Sequence, residues 1–574
     1  MDVQRLLAVA RGDQPADLVL RNLRLVDVFT ETSSPGEIAV CGTRIAGVGR
    51  GYGGKEEVDL EGRWVCPGLI DAHLHIESSL VRPREYGRAA AVRGVTTVIA
   101  NPHEIANVFG VEGVRYMIRD GERGPCDILL TVPSSVPASP LATSGAALSL
   151  DDLVLLREDS GVVGLGEVMD FGGVIAGKEH LLRELALFRG RVVDGHCPGL
   201  AGQELAAYVA AGIRSDHECT TAQEARAKLQ CGMRLFLREG SAARNLRDLL
   251  PALTPAVERR LSFCTDDLSP GDLLHTGSID HLVRLAVKAG VPPMLAIRMA
   301  TLNPAEHFRL EDRGRIVPGC RCDLVVVDNP LDFRPFQVYQ AGRLVAQGGE
   351  LTEKQGDPRE VDEPERLRRS VAVDWRQVDL TVPAKGERIR VIGLVPDQLV
   401  TRHLILPARI ENSHAVADPQ RDLLKLAVIE RHRASGRVGL GFVQGMGLRQ
   451  GALAGTVAHD HHNLVAIGAD DRSMLTAAKA VAEANGGLAA AVGQQVLCLL
   501  PLPIAGLMSD LSIEEVARRV AELEVAAGSL GTRLGNPFMT LSFLALEVIP
   551  DLKLTDRGLV DVQKMQLVPL FPSG

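Results

Sequence analysis

Eight short apolar runs, separated by helix-like stretches, occupy the chain between residues 64 and 310. Runs of this length that stop at polar clusters predict buried strands, and the amphipathic stretches between them predict helices. Eight such repeats over about 250 residues predict a (β/α)8 barrel. The predicted strands lie near residues 64–75, 95–100, 127–132, 162–168, 191–196, 213–217, 233–237 and 261–266.

Segments on both sides of the predicted barrel alternate between apolar and polar residues. Residues 17–48 and the stretch that begins at Gly314 show this period of two, which predicts strands of a small sheet that the barrel interrupts. The charged, Pro-containing stretch 350–370 predicts a linker. The predicted α/β fold therefore has three domains: a small β-sandwich (1–63 with 311–350), the barrel (64–310) and a C-terminal α/β domain (371–574).

Bulk composition predicts a globular protein of the cytoplasm. The net charge is −9 and basic residues are scattered over the 574 residues, so we expect no nucleic-acid partner and no membrane surface. The chain has neither a long apolar signal segment near residue 1 nor an apolar run of about 18 residues, which predicts no secretion and no membrane span. Its ten cysteines are spread out and are expected to be reduced thiols.

Polar residues at the ends of the predicted strands indicate a metal centre. His73 and His75 lie two apart on the first strand and therefore point to one face. Any one of these residues alone is more often a satisfied core histidine or a helix cap, but six of them follow strand ends that meet at one mouth. Four imidazoles and two carboxylates suit two divalent ions bridged by a carboxylate. The expected ligands are His73, His75, Glu167, His196, His217 and Asp266.

This arrangement resembles the amidohydrolase superfamily, over roughly residues 17–350. The flanking motifs narrow the resemblance to its adenine deaminase family and extend it over nearly the whole chain: DAHLHIESS, NPHEIANVFG, GEVMDF, DGHCPGL, SDHECTT, LREGSAARNL, FCTDD, AHDHHNLVAIG and GNPFMTLSFLALEVIPDLKLTDRGLVD. Many binuclear members bridge their ions with a carboxylated lysine on strand four. Here that strand carries Glu167 and the next lysine is Lys178, so the resemblance implies a glutamate bridge.

The resemblance also implies an activity and a set of roles. The reaction is hydrolytic deamination of adenine to hypoxanthine and ammonia, with a metal-activated hydroxide attacking C6 and Asp266 carrying protons. The cofactors are two divalent ions, Mn(II) or Fe(II), with Zn(II) equally suited to mixed imidazole and carboxylate ligands. The acid that protonates the purine ring stays open among three residues: Glu77, Glu218 and Glu239. The expected substrate contacts are His103, Glu104, Ser241 and His461.

Other functions remain as alternatives. A cyclic amide hydrolase of the same superfamily (dihydroorotase, hydantoinase or allantoinase) would keep the metal cradle but usually has the bridging lysine, and a non-catalytic barrel would be expected to lack a ligand. Zinc nucleobase deaminases of another fold need H-x-E and P-C-x-x-C. Pro125 and Cys126 are followed by Leu129 where the second cysteine belongs, which excludes that fold. The expected partner is a purine base, and the oligomeric state stays open, with a homodimer as one option.

Overall fold

The structure is a computed structural model that describes residues 2–241, 243–352, 364–395 and 398–572. The central part of the predicted 350–370 linker, residues 353–363, lies outside the described residues. The chain begins with one helix and five strands: α1 (Val3–Ala10), β1 (Ala16–Asp27), β2 (Thr32–Cys41), β3 (Arg44–Gly49), β4 (Gly54–Asp59) and β5 (Trp64–Pro67). Strand β1 pairs antiparallel with β2, and parallel with β4 through its first half and with β5 near its end.

The barrel follows directly. Its strands are β6 (Leu69–His75), β7 (Val95–Ala100), β8 (Asp127–Pro133), β9 (Val162–Val168), β10 (Val192–Gly195), β11 (Ser215–Asp216), β12 (Arg234–Arg238), β13 (Leu261–Cys264) and β14 (Asp266–Asp267). The last two are one barrel strand interrupted at Thr265, so eight strands form the wall. Their positions agree with the eight predicted runs, and the (β/α)8 prediction is confirmed.

Helices surround this wall. They are α2 (Pro83–Val92), α3 (His103–Gly121), α4 (Leu150–Arg157), α5 (Phe171–Ile175), α6 (Glu179–Leu187), α7 (Gly202–Ala210), α8 (Ala222–Gln230), α9 (Leu246–Leu249), α10 (Pro270–His275), α11 (Ile279–Lys288), α12 (Pro293–Met299) and α13 (Leu302–His307). With helices outside, a parallel strand is buried on both faces, and every residue of β6 is buried.

Hydrogen bonding closes the barrel between its first and last strands. Strands β10, β9, β8, β7, β6 and β14 form one parallel sheet in that order, and β11, β12 and β13 form a second. Asp266 pairs with Leu74 where β14 meets β6, and Arg214 N donates to Val193 O (3.2 Å) between β10 and β11. All strand ends that carry polar residues therefore face the same mouth.

The predicted strand over 64–75 needs a correction, because Gly68 divides it in two. Gly68 N donates to Asp323 O (2.8 Å), and a Cβ built on Gly68 would lie 2.1 Å from Thr96 Oγ1. Only glycine allows this close approach, and the chain leaves the small sheet there and enters the barrel. Strand β5 (Trp64–Pro67) lies after the predicted domain boundary at residue 63 but still belongs to the small sheet.

Four strands after the barrel complete the first sheet: β15 (Leu324–Val327), β16 (Pro335–Gln340), β17 (Arg343–Gln347) and β18 (Glu350–Leu351). Strand β15 pairs antiparallel with β5, which joins both parts of the chain into one nine-stranded sheet. Leu20, Ile38, Val65, Leu324 and Val326 from both parts share a buried core. The predicted insertion of the barrel into a small β domain is confirmed.

The C-terminal region is a further α/β unit. Its elements are β19 (Arg388–Leu394), β20 (Thr401–Pro407), β21 (Arg409–Glu411), β22 (His414–Val416), β23 (Leu423–Ile429), β24 (Val438–Gln444), β25 (Ala452–Gly455), β26 (Leu464–Gly468), α14 (Asp471–Glu483), β27 (Gly487–Val492), β28 (Gln495–Pro501), α15 (Ile513–Ser529), α16 (Pro537–Phe543), β29 (Leu552–Thr555), β30 (Gly558–Asp561) and β31 (Gln566–Val568). Eight strands form one sheet in the order β20-β19-β24-β23-β26-β25-β27-β28, and β29, β30 and β31 form a separate meander.

This C-terminal unit packs on the long loop that follows β8 in the barrel. Thr143 N and Oγ1 donate to Asp556 (2.8 and 2.7 Å), and Asn463 Nδ2 donates to Thr143 O (2.9 Å). Ser139 Oγ donates to Glu547 Oε1 (2.5 Å) in the same interface. These buried polar pairs fix the C-terminal unit over the barrel mouth.

Two further features of the chain are the hydropathy of its helices and the state of its cysteines. Within the described ranges, no helix combines the length and apolarity needed to cross a bilayer. All ten cysteines are free thiols, as their spread along the sequence predicts. Cys231 is exposed, whereas the other nine are buried or half-buried.

Candidate metal centre and substrate cavity

Glu167, at the end of β9, is the centre of the polar cluster at the barrel mouth. Its Oε1 lies 3.1 Å from His75 Nε2, and its Oε2 lies 2.7 Å from His196 Nδ1 and 3.3 Å from His217 Nε2. His75 Nε2 is also 3.2 Å from Asp266 Oδ1. The two oxygens of Glu167 therefore face different histidines, as in a carboxylate that bridges two ions.

Fixed acceptors orient the histidines of β6. His73 Nδ1 lies 3.0 Å from Asp194 Oδ2, and His75 Nδ1 lies 2.9 Å from Asn101 O. Each outer nitrogen thus carries the proton, which leaves the inner Nε2 lone pair free. Among the described residues, His73 Nε2 is buried without a hydrogen-bond partner and lies 3.7 Å from Glu167. An imidazole nitrogen held in this way is suited to a metal ion.

The protonation of the cluster is unusual for buried groups. Burial favours a neutral Glu167, but hydrogen bonds from His196 and His217 hold its pKa well below the usual range. Burial lowers the pKa of His217, whereas the hydrogen bond to Glu167 raises it to about 10. Burying so many charges is costly unless they are paired or coordinate a metal.

The donor atoms form two compact triads that fit divalent ions. The donor atoms within each triad, one of His73, His75 and Asp266 and one of Glu167, His196 and His217, all lie within 4.8 Å of one another. Imidazole and carboxylate are the ligand types of Zn, Mn and Fe sites. The predicted ligands are therefore brought together, and their chemistry suits a divalent-metal centre.

Arg238, the last residue of β12, connects two carboxylates beside these triads. Its Nη1 donates to Asp266 Oδ2 (2.7 Å), and its guanidinium donates to both oxygens of Glu218. Arg238 is almost fully buried, at 6% exposure. Asp266 therefore presents Oδ1 to His75 and has its other oxygen bound by a fixed cation.

A second buried cluster joins the barrel to the C-terminal unit. Glu104, at the start of α3, lies with its Oε1 3.0 Å from His103 Nε2 and 2.7 Å from His459 Nδ1, and its Oε2 bonds to His462 Nε2. Ala458 N donates to His462 Nδ1 (3.2 Å), so the proton of this neutral imidazole is on Nε2 and points at Glu104. His462 is a hydrogen-bond donor here, not a metal ligand.

A cavity of about 1990 Å³ opens above the metal triads and extends under the C-terminal unit. It is larger than the 300 to 1,000 Å³, roughly, of an ordinary small-molecule site. Barrel residues His103, Glu104, Glu218 and Ser241 contribute to its wall, and the C-terminal unit contributes His459, Asp460, Met539, Phe543 and Lys553. Both units are therefore needed to complete the enclosure.

Comparisons with known proteins agree along the whole chain. The profile of the Amidohydrolase family matches residues 64–348, and that of the Adenine deaminase C-terminal domain matches residues 398–566. The adenine deaminase of Desulfatibacillum aliphaticivorans is 49% identical over 570 residues, which cover 99% of each chain. Adenine deaminase 2 of Carboxydothermus hydrogenoformans is 46% identical over 571 residues, again 99% of each chain. The chain belongs to the adenine deaminase family.

Solved structures resemble it more distantly. The beta-aspartyl dipeptidase of Fervidobacterium islandicum AW-1 is 16% identical with a TM-score of 0.47, covering 60% of this chain and all of that one. The L-hydantoinase of Arthrobacter aurescens is 16% identical with a TM-score of 0.44, covering 59% of this chain and 98% of that one.

Membership of the family, together with the two triads of donor atoms, shows that this chain binds divalent metal.

The predicted substrate residues of the barrel reach the cavity. His103, Glu104 and Ser241 lie on its wall, with Ser241 Oγ donating to Asp272 (2.5 Å). His461 is not among the described wall residues, because its Nε2 bonds to Glu547 (2.6 Å) inside the C-terminal unit. The loop that carries it, residues 458–463, reaches the cavity with different side chains.

The three predicted ring acids are in different places. Glu218 lies on the cavity wall. Glu77 is buried below it, where its Oε1 accepts from Ile105 N (3.2 Å), and Glu239 accepts from Leu246 N (3.3 Å). Neither Glu77 nor Glu239 lines the cavity among the described residues.

Three residues of this region were not predicted from the sequence: Asp194, Arg238 and Asp460. Asp194 precedes His196 by two residues in the predicted strand 191–196, so a shared face was a usable signal. Arg238 ends the seventh strand, where the rule that placed the other site residues applies equally. Asp460 lies in a loop of another domain, and no sequence periodicity places it at the barrel mouth.

Proposed function

We propose that this protein catalyses the hydrolytic deamination of adenine, giving hypoxanthine and ammonia. The observation that carries the proposal is the convergence of four imidazoles and the Asp266 carboxylate around Glu167, in a chain that is similar to adenine deaminases over its full length. The unpaired cysteines suit a reducing compartment, so we place the activity in the cytoplasm.

We further propose two divalent ions as cofactors. His73, His75 and Asp266 would hold one, His196 and His217 the other, and Glu167 would bridge them. When bound, the ions supply Lewis acidity that brings the pKa of water toward neutrality. Mn(II) and Fe(II) are the preferred metals of the proposal and Zn(II) also suits the ligands, since mixed imidazole and carboxylate sets discriminate weakly among them.

Asp266 is the proposed proton carrier between the attacking water and the departing amine. Its Oδ1 faces His75, so the proton has to be held at Oδ2, where Arg238 Nη1 already donates (2.7 Å). Burial raises the pKa of Asp266, but Arg238 and His75 hold it well below the usual range. A proton taken up at Oδ2 is therefore passed on readily to the amine, which favours loss of ammonia.

Glu218 is the acid that we retain for the purine ring. It lies on the cavity wall, whereas Glu77 and Glu239 do not. Both oxygens of Glu218 accept hydrogen bonds from Arg238, so a proton placed on either oxygen competes with the guanidinium for that oxygen. Arg238 thereby links the two carboxylates that exchange protons with the substrate. His103, Glu104 and Ser241 are the proposed wall that positions the base.

Cyclic amide hydrolysis is the less favoured function because β9 lacks a lysine. Lys178, the next lysine along the chain, bonds to Asp170 (2.9 Å) on the rim. It does not take part in the cluster around Glu167.

The test is a substrate panel with the metal-loaded protein. The protein is purified with Mn(II) or Fe(II), and metal per chain is measured. Ammonia release is followed with adenine and adenosine, and ring opening is followed with hydantoin. We expect about two ions per chain and ammonia from adenine. Full metal loading without ammonia from adenine contradicts the proposal, and ring opening of hydantoin would support the cyclic amide alternative.

A further inference from the structure

Asp460 lies on the cavity wall with unused hydrogen-bond acceptor capacity on its carboxylate. It belongs to the loop 458–463 of the C-terminal unit, is 3% exposed and lies on the cavity wall. Among the described residues, its Oδ2 has no hydrogen-bond partner. A buried carboxylate without donors is costly, because it has lost water and gained nothing in return. A donor on a bound molecule would remove that cost.

The neighbouring charged groups do not satisfy Asp460. His103 Nε2 is 3.7 Å and His459 Nδ1 is 4.0 Å from Asp460 Oδ1, both too long for a hydrogen bond. Both imidazoles are directed instead to Glu104, at 3.0 and 2.7 Å. Glu104 has all its contacts, whereas Asp460 beside it has unused acceptor capacity.

The position of Asp460 relative to the metal cluster suits a bicyclic base. His103 lies between the two, with its Nδ1 3.7 Å from Glu167 and its Nε2 3.7 Å from Asp460. The carboxylates of Glu167 and Asp460 are therefore separated by about the length of one imidazole ring plus a 3.7 Å contact on each side of it. A purine with its C6 end at the metal cluster extends its imidazole end over the same span.

We propose that Asp460 accepts a hydrogen bond from the imidazole N–H of the purine and so selects the free base over nucleosides. The inference rests on the proposed function, because it assumes that C6 faces the metal cluster. Adenine carries two kinds of N–H donor: the 6-amine, which is the leaving group, and the ring N–H at its opposite end. A nucleoside has a sugar in place of that ring proton. Such a substrate offers Asp460 no donor and leaves the carboxylate buried and unpaired.

A site that hydrogen-bonds a substrate group discriminates strongly against an analogue that lacks it. Adenine supplies the buried carboxylate with a donor on binding, whereas the analogue leaves the carboxylate as unpaired as it is in the free protein. The 9-methyl derivative of adenine tests this directly, since it keeps the 6-amine and all ring acceptors but has no ring N–H. We expect the wild-type protein to prefer adenine to 9-methyladenine by at least about 100-fold in kcat/KM.

The decisive experiment combines two substrates with substitutions of Asp460. Asp460→Ala is expected to lower kcat/KM for adenine by about 10- to 100-fold, the range of a hydrogen bond to a charged group. The same substitution should change kcat/KM for 9-methyladenine by less than about threefold. Asp460→Asn keeps the shape and one acceptor oxygen, so it should fall between wild type and Asp460→Ala. Calorimetric binding of hypoxanthine and 9-methylhypoxanthine should show the same pattern without turnover.

A matched control separates recognition from loosening of the domain interface. Asp556→Ala removes the hydrogen bonds to Thr143 in the same interface but away from the cavity. It should leave the ratio of the two substrates within about twofold of wild type. A purely structural role for Asp460 would lower both substrates by the same factor, as this control does.

Each other outcome has a definite meaning. Equal loss on both substrates, or no loss on adenine, overturns the role of Asp460 and leaves the proposed function intact. Loss of one ion per chain in Asp460→Ala would identify a metal ligand instead and also overturns the inference. Wild-type protein that is fully loaded and releases no ammonia from adenine overturns the proposed function, and the inference with it.

Discussion

Glu167 and Glu104 are two buried glutamates with nearly the same neighbours. Glu167 lies 3.1, 2.7 and 3.3 Å from three histidine nitrogens. Glu104 lies 3.0 and 2.7 Å from two histidine nitrogens and bonds to a third. Both carboxylates have their pKa held well below the usual range by these imidazoles, against the effect of burial. Composition alone does not distinguish the two clusters.

His196 and His217 face Glu167 as the histidines of the other cluster face Glu104, and the difference lies in the outer nitrogens of His73, His75 and His462. Near Glu167, the Asp194 carboxylate and the Asn101 carbonyl accept hydrogen bonds from Nδ1 of His73 and of His75. The Nε2 lone pairs of these two histidines therefore point inward. Near Glu104, the backbone N–H of Ala458 donates to Nδ1 of His462. The proton of this imidazole therefore lies on Nε2 and points at Glu104. The first arrangement is suited to metal and the second to holding two domains together. The surrounding hydrogen bonds, rather than the residue types, set the function of a histidine cluster.

Removing the charge of Glu167 should separate the two clusters most clearly. Glu167→Gln takes away the proposed bridge, and metal content should fall below two ions per chain. The rate, kcat/KM on adenine, should fall by at least about 1000-fold, since metal assistance contributes several kcal/mol to the barrier. Metal analysis and ammonia release measure both effects. Unchanged metal content would remove Glu167 as the bridge.

The corresponding substitution Glu104→Gln should weaken the interface between the barrel and the C-terminal unit, and not the binding of metal. Glu104→Gln leaves His103, His459 and His462 without their shared anion, and breaking a buried ionic group of this kind costs about 3 kcal/mol of stability. Metal content should stay at the wild-type value while the thermal midpoint falls. Glu122→Gln, an exposed change at the other end of α3, is the control for that helix. A loss of metal in Glu104→Gln would mean that this cluster also binds an ion.

Asp194 offers a milder disturbance of the metal cluster. Asp194→Asn keeps the shape but can donate to His73 Nδ1, which favours the tautomer whose lone pair faces away from the metal. Such changes behind a ligand lower metal affinity by about 10- to 100-fold. Ser215→Ala, which removes the 2.6 Å hydrogen bond to the other oxygen of Asp194, should act in the same direction but more weakly. Chelator competition measures the series, and equal affinity in all three proteins would contradict the orienting role.

The barrel and the proposed ligands could be predicted because both follow from periodic, local patterns. Each strand of the barrel is a short apolar run, and the proposed ligands all lie within two residues of a strand end: His73, His75, Glu167, His196, His217 and Asp266. Once the strands are placed, parallel geometry brings these ends together without further information. The split at Gly68 was missed because the glycine is required by contact with Thr96 on the neighbouring strand β7, and Thr96 is far from Gly68 in the sequence.

The far wall of the cavity could not be predicted in the same way. His459, Asp460 and His461 are neighbours in the sequence, yet the first two reach the cavity and the third bonds to Glu547. Which side chain of a loop points inward depends on how two domains dock, and neither domain's periodicity encodes that. The AHDHHNL motif therefore indicated a loop that reaches the cavity, but it does so through His459 and Asp460 rather than through His461.

Glu184, on α6 at the cavity wall, shows what a carboxylate does there without imidazoles. Among the described residues its Oε2 has no partner, and burial alone raises its pKa to about 7. Because the folded pKa lies above the unfolded value, the ionised carboxylate costs stability above pH 7, and this cost disappears as pH falls toward 4.5. Glu184→Gln should therefore stabilise the metal-loaded protein by about 1 to 2 kcal/mol at pH 8, after allowance for solvent screening, and by less at pH 5.5. Thermal midpoints across this range, with exposed Glu179→Gln as the control, measure the difference; a gain that is independent of pH would show that ionisation of Glu184 is not its cause.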